Sequence, residues 1–488
     1  MNGLKFSYMK NKVILTSVLI FFLSFLNFQF NLFNVVSEFR FNYFQVESEQ
    51  FVLDGFLNHS INDEPLQLGQ FSRPSIDMFN DGEKYKPREW FTNEFIEGEF
   101  WEYKSHFGLQ LIIFNFFNGN LLLVQSLASF LFSLTIAILF IQLCRLHSFN
   151  FGLIFIVSLV LNPWITPIAR NSYFLVFIYL VPLVISYYFS RRINNSNFNL
   201  AIFLIILYIL FLFKSLIGYD YLSTIVITTM IPIVYYYLNN NLSIKKLIRN
   251  LTSILLISFL SFSTSVVIHS GSLEGEKSPF EWIYYAAAKR LSSSSPEETA
   301  RVACDKLMSD QGRKVNINDK AYQGCYNELI ESLSVSRLDV LAKYMVARHF
   351  LPFFGSYEIE LKEEQEKQLK EIYYNTNINT LEKGLQTLKY GFNNYNQFNF
   401  FQVTSTLVNF ILSPILFIAF FILFFIKTLN SNTNNKIFNL FILLPPLSWF
   451  LIAKGHSYVT AYQLTFFIWF ITTIPYMMGI VFSKKKII

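Results

Sequence analysis

The chain has 488 residues, of which 53% are hydrophobic, 18% aromatic and only 15% charged, with a net charge of +6. A soluble domain carries roughly 25% charged residues, so the composition excludes an ordinary soluble protein. The basic residues sit in short clusters beside apolar blocks, which is the pattern of membrane orientation and not of a nucleic-acid binder.

The chain opens with Lys5, Lys10 and Lys12 before an apolar stretch at about 13–36. That stretch is too long for the apolar core of a signal peptide and no small-residue cleavage site closes it, so it predicts a retained first span. Further candidate spans follow at about 120–143, 151–165, 171–190, 199–216, 222–238, 251–270, 405–426, 437–453 and 463–482, each long enough or nearly so to cross a hydrocarbon core of about 30 Å. With the N-terminus inside, every short inside segment is basic: Arg145, then Arg191 and Arg192, then Lys245, Lys246 and Arg249, then Lys427 and Lys436, and finally Lys484 to Lys486. This is the positive-inside pattern, and it puts both termini in the cytoplasm.

The expected organisation is therefore an all-α polytopic membrane protein of about ten transmembrane helices. Residues 1–36 give the cytoplasmic N-terminus and first span, 37–119 a first outside loop with an interfacial helix, and 120–270 spans two to seven. Residues 271–400 form an outside helical domain, and 401–488 hold spans eight to ten with the cytoplasmic C-terminus.

The first loop carries Glu47, Glu49 and Asp54 soon after the first span. A carboxylate at the edge of a low-dielectric layer can have its pKa raised toward the working range, which suits a general base acting on a hydroxyl; the alternative is acids that simply stay in water. The loop ends in Tyr103, Ser105, His106 and Gln110, followed by a stretch interrupted by Asn115, Asn118 and Gly119. Aromatic faces and amides in this order predict a segment dipping toward the membrane and fit a glycan as well as a headgroup layer.

The third and fourth spans are short and broken by Pro163, Pro167 and Pro182, with Asn162, Arg170 and Asn171 at their outside turn. Non-helical backbone at that depth needs protein or a wet cavity to satisfy it. Arg170 is a candidate for holding an anionic headgroup, or else an interfacial arginine snorkelling to ordinary lipid. On the same outside face Lys214 ends one span just before the turn that carries Asp220, His269 ends another, and His456 lies in the turn joining the last two; together such cationic or titratable groups would suit a phosphate-bearing ligand.

In the second loop Ser295-Pro296-Glu297-Glu298 reads as a helix start with a capping box. Residues Tyr357 to Tyr374 read as a solvated helix with Glu-to-Lys pairs four apart. Cys304 and Cys325 share this loop, where an oxidising compartment would let them pair or leave two thiols; Cys144 lies at the cytoplasmic end of a span. No cysteine spacing of the metal-binding type occurs.

This layout resembles the GT-C superfamily of membrane glycosyltransferases, which includes the protein mannosyltransferases, the aminoarabinose transferases and the oligosaccharyl transferases. Glu47, Glu49 and Phe51 are the nearest match to the acidic motif and following aromatic of the superfamily's first loop, with Glu-Ser-Glu standing where an Asp-Glu pair is expected. Tyr103-Lys104-Ser105-His106-Phe107-Gly108 looks like the Tyr-x-Ser-x-x-Gly segment that closes that loop, and Ala169-Arg170-Asn171-Ser172-Tyr173 resembles the Ala-Arg motif of bacterial relatives. The resemblance implies a bacterial inner-membrane enzyme moving a sugar from a polyprenyl-phosphate donor to a glycan, lipid or protein acceptor, with inversion. Glu47 or Glu49 would act as base, Arg170, Lys214 or His456 would hold the phosphate, and Tyr103, Ser105, His106, Gln110 and Asp220 would line the substrate. Some relatives use a divalent metal bound by carboxylates; this sequence requires none. Two other readings share the composition: an O-antigen-type polymerase, for which Arg301, Arg313, Arg337 and Arg348 are relevant, and a lipid-linked glycan transporter, which would place ionisable residues in mid-membrane.

Overall fold

A computed structural model describes residues 2–36, 38–71, 98–272, 413–453 and 468–483, together with parts of 297–336. Within these, five helices are long and apolar enough to cross a membrane. They are α1 (Asn2–Phe30, apolar from Asn11), α5 (Leu121–Leu146), α10 (Asn197–Ile217), α11 (Leu222–Asn239) and α12 (Ile244–Ser272).

Between them lie α2 (Glu38–Tyr43), α3 (Val46–Asn62), α4 (Leu109–Phe116), α6 (Phe149–Val160), α7 (Ile165–Ile168), α8 (Phe177–Phe189) and α9 (Arg192–Asn195). Beyond them come α13 (Lys320–Ser334), α14 (Ser413–Leu429), α15 (Thr433–Phe441) and α16 (Leu444–Ile452), then a π-turn at Trp469–Thr473 leading into α17 (Ile474–Phe482). Within the described residues, each of the ten apolar segments expected from the sequence overlaps a helix over at least part of its length. The α15–α16 pair is bent by 42°, and α6, α8, α14 and α17 are shorter than a full crossing. Pro445 and Pro446 open α16 and account for its bend, since neither can donate the amide that would continue α15.

Asparagine and serine side chains set the element boundaries. Asn120, Ser148, Ser196 and Asn432 each cap a helix by accepting a backbone N–H from its first turn. The first span ends at Phe30, short of Val36, because Asn27 and Asn31 accept the Phe33 and Val35 amides and turn the chain out of the helix. At the break between α6 and α8, the Asn162 carboxamide oxygen accepts from Trp164 and Ile165, while Asn171 accepts from Tyr173 and Phe174. Asn27 donates across to the Val160 carbonyl. Backbone freed by the prolines is thus satisfied by side chains, as non-helical chain at membrane depth requires.

Within the described part of the first loop, Glu47, Glu49 and Asp54 lie on the 17-residue helix α3, and α4 follows Gly108. The fold is predominantly helical, with one short addition: β1 (Gly69–Phe71) and β2 (Phe100–Glu102) pair antiparallel, with Gln70 opposite Trp101. The 2-stranded ribbon joins the segment after α3 to the segment before α4. One extended core then runs through α1, α3, α4, α5, α6, α8, α10, α11 and the C-terminal helices.

In the second loop, α13 packs on a small separate core of Ala300, Cys304, Met308 and Tyr322. Cys304 is bonded to Cys325. Ser295, Pro296, Glu298, the Tyr357–Tyr374 helix, Arg313, Arg337 and Arg348 lie outside the described residues.

Candidate functional site

Two polar clusters meet on the face where α2, α3 and α4 lie. The first surrounds Glu49, a wholly buried acid on α3. Its Oε1 accepts the Ser172 amide at 2.9 Å, the Ser172 hydroxyl at 3.2 Å and the Gln125 amide at 3.2 Å. One carboxylate therefore joins α3, the turn after α7, and α5. The same turn grips α2 and α3 through its other residues. Arg170 Nη2 donates to the Phe41 carbonyl at 3.0 Å and Asn42 Oδ1 at 2.9 Å, with its guanidinium 3.8 Å from the Phe41 ring centre. Asn171 donates to the Gln45 carbonyl at 3.3 Å. The Ala169–Tyr173 segment is thus a clamp on the start of the first loop.

Asp54, two turns along α3, faces elsewhere. Its Oδ2 accepts the Phe71 amide at 3.1 Å and the Gln50 side chain at 3.0 Å, which ties β1 to the helix. Glu47 lies in the first turn of α3, and its side chain is outside the described residues, as is His456.

The second cluster forms where the end of the first loop reaches α10. Lys214 sits in the last turn of α10, only 2% exposed, where a cation complements the negative end of the helix dipole. Its Nζ donates to the Gly218 carbonyl at 2.5 Å and lies 5.2 Å from the Tyr179 ring centre. His106 is 4% exposed, and its Nε2 stands 3.4 Å from Asp220 Oδ2. Gly218 permits this approach: a Cβ there would lie 3.3 Å from the His106 ring. Gly108, with φ +86°, turns the chain into α4 directly after this contact.

Aromatic rings wall the cluster. Tyr103 lies 4.2 Å from Phe51 and 5.4 Å from His106, centre to centre, and Tyr173 lies 6.3 Å from His106. Since Tyr173 follows Ser172, it links this cluster to the Glu49 clamp. Tyr219 hydrogen-bonds His269 Nδ1 at 3.0 Å. Burial lifts the Tyr219 phenol well above its ordinary pKa, so the hydroxyl keeps its proton beside His269. Gln110 on α4 is 1% exposed, and neither atom of its amide has a hydrogen-bond partner among the described residues. Ser105 is half-buried in the turn between Tyr103 and His106.

The fold thus brings Tyr103, His106, Lys214 and Asp220 together and sets Glu49 and Arg170 in the adjoining clamp. Tyr219 and Tyr179 belong to the cluster although the sequence offers nothing to distinguish them from interfacial aromatics. A buried ammonium, an imidazole beside a carboxylate, and phenol faces can hold an anionic oxygen and move a proton. Among the described residues no three His, Cys, Asp or Glu side chains come together as a metal site would require.

By fold the chain is a predominantly helical protein with membrane-spanning character. No family model, no curated protein and no solved structure matches it.

Proposed function

We propose that this protein is a multi-pass glycosyltransferase of the bacterial inner membrane, with all ten apolar segments crossing and both termini cytoplasmic. It moves a sugar from a polyprenyl-phosphate donor to a glycan, lipid or protein acceptor on the outer face. The observation that carries this reading is the meeting of the Tyr103–Gln110 segment with the Lys214–Asp220 turn at the ends of apolar helices. A buried cation at that depth suits a lipid-borne phosphate, and the aromatic wall suits a sugar face.

Lys214 neutralises the donor phosphate. His106, oriented by Asp220, takes the proton from the acceptor hydroxyl as its oxygen attacks the anomeric carbon. The bond from that carbon to the phosphate oxygen breaks, and the lipid phosphate leaves with the electron pair, its charge stabilised by the Lys214 ammonium. Glu49 positions the Ser172–Tyr173 wall, and Gln110 supplies a carboxamide for sugar hydroxyls. Arg170 and Asp54 hold the loop to the helices.

The test is glycan analysis of a strain lacking the gene, complemented with wild type, His106→Gln, Lys214→Met, Glu47→Gln or Glu49→Gln. Transfer of labelled sugar from polyprenyl-phosphate donors in membrane vesicles is followed in parallel. Loss of one glycan product in the deletion strain, with failure of His106→Gln and Lys214→Met to restore it, is the expected result. A wild-type glycan in the deletion strain would sink the reading. Full activity of His106→Gln beside an inactive Glu47→Gln would return the base to α3.

A further inference from the structure

A second polar site lies at the opposite ends of the same helices. α5 runs for 26 residues from Leu121 to Leu146, roughly 39 Å at 1.5 Å per residue. Asn120 caps it on the side of the first loop, and His147 follows its far end. There the structure forms a partly open cavity of about 30 Å³. It is lined by the polar Lys427, Ser431, Asn435, Asn439 and Ser483 together with His147 and aromatic rings near it.

The polar side is rich in donors. Lys427, half-buried in the last turn of α14, donates from Nζ to the Val481 carbonyl at 2.9 Å and faces the cavity. Ser431 and Asn435 flank the start of α15, whose first turn adds the positive end of a helix dipole. No acidic residue is among the lining groups. The connecting segments at this face, 144–150, 190–197, 239–250 and 427–436, contain lysines and arginines but no Asp or Glu. A space of this size holds a small polar group, and a cation, hydroxyls and carboxamides around it select an anion.

We propose that this cavity seats a phosphate group, with the headgroup of an anionic lipid in the adjoining leaflet as its source. The basic connectors raise the local concentration of such lipids at this face. The site is separate from the transfer reaction and does not depend on it.

The experiment uses the purified full-length chain in a neutral detergent. Native mass spectrometry follows retention of phosphatidylglycerol, phosphatidylcholine or inorganic phosphate by wild type, Asn435→Asp and Asn435→Lys. Asn435→Asp is isosteric and places an acid in the first turn of a helix, where it suits the dipole, so folding is preserved. Wild type retains phosphatidylglycerol over phosphatidylcholine. Asn435→Asp lowers that retention at least about fivefold, and Asn435→Lys maintains or raises it. Inorganic phosphate retained with the same dependence on residue 435, but without phosphatidylglycerol, keeps the anion site and changes its source to a free phosphate. Equal retention of charged and neutral lipid, or no response to either substitution, would overturn the proposal.

Discussion

His106 of the first loop and Asp220 of the turn between α10 and α11 are 114 positions apart in the chain, yet His106 Nε2 stands 3.4 Å from Asp220 Oδ2. The contact closes the loop onto the membrane face and gives the imidazole a fixed orientation. His106→Gln keeps a polar side chain but removes the proton acceptor, and is expected to lower transfer by about 10²- to 10⁴-fold. Asp220→Asn keeps the shape and removes the charge. It is expected to lower turnover with little change in KM, and to move the acid limb of the rate profile to lower pH, since the imidazolium loses its neighbouring carboxylate. Vesicle assays across pH separate this outcome from a merely structural role, which would move KM and protein yield together.

Lys214 offers a sharper division between stability and activity. A buried ammonium carries a desolvation cost that its Gly218 and Asp220 neighbours only partly offset. Lys214→Met fills the same volume with an apolar chain. Thermal unfolding in detergent is expected to show unchanged or higher stability, while donor-dependent transfer falls to background. Loss of folding with the Met variant would instead make Lys214 a structural cation.

Glu49 makes the opposite case. Removing its carboxylate strands the Ser172 amide in a buried setting, and an unsatisfied buried group costs about 1–3 kcal/mol. Glu49→Ala is therefore expected to lower the unfolding midpoint and reduce activity together. Glu49→Gln, which still offers an oxygen to Ser172, is expected to recover most of both. An inactive but fully stable Gln variant would mark Glu49 as a base after all.

What the sequence made legible follows from how each signal is encoded. Apolar blocks are local, so the five long apolar helices were visible. Helix ends were less so: Asn27 and Asn31 end α1 six residues early through side-chain bonds that hydropathy does not register. The β1–β2 ribbon escaped notice because its strands are three residues each and lie about 30 apart. The site was half legible. His106 stood out at the end of the first loop, and Lys214 and Asp220 beside a span end, but their meeting is a long-range property of the fold. Arg170 and Asp54 carry the residue types of a binding site and serve as clamps, a distinction set by the Phe41, Asn42 and Phe71 groups they reach.

The Cys304–Cys325 bond closes a sequence separation of 21 around a core of four buried residues among those described. So small a core depends on its cross-link, worth about 3 kcal/mol by the loop-entropy model. Cys304→Ser with Cys325→Ser is expected to make residues 297–336 susceptible to limited proteolysis at protease levels that leave the wild type intact. Thiol labelling without reductant should modify neither cysteine in the wild type. Labelling of both before reduction would remove the cross-link from the account.

His147 carries the last prediction. It lies just past α5, stacked 4.3 Å from Phe151 and 4.1 Å from Tyr235, with Nε2 3.2 Å from the Tyr187 hydroxyl. Burial lowers its pKa from 6.5 to about 3. The folded state therefore holds it neutral while the unfolded chain takes a proton first. Its neutral form favours folding fully above about pH 6.5, and that stability is lost as the pH falls toward 3. At pH 5 the loss is about 2 kcal/mol for a shift of this size. His147→Phe keeps a ring in the stack and cannot titrate, so its unfolding midpoint should fall less than the wild type's between pH 7.5 and pH 5. Parallel pH curves for the two proteins would mean that the wild-type histidine is already charged or solvated in the folded state.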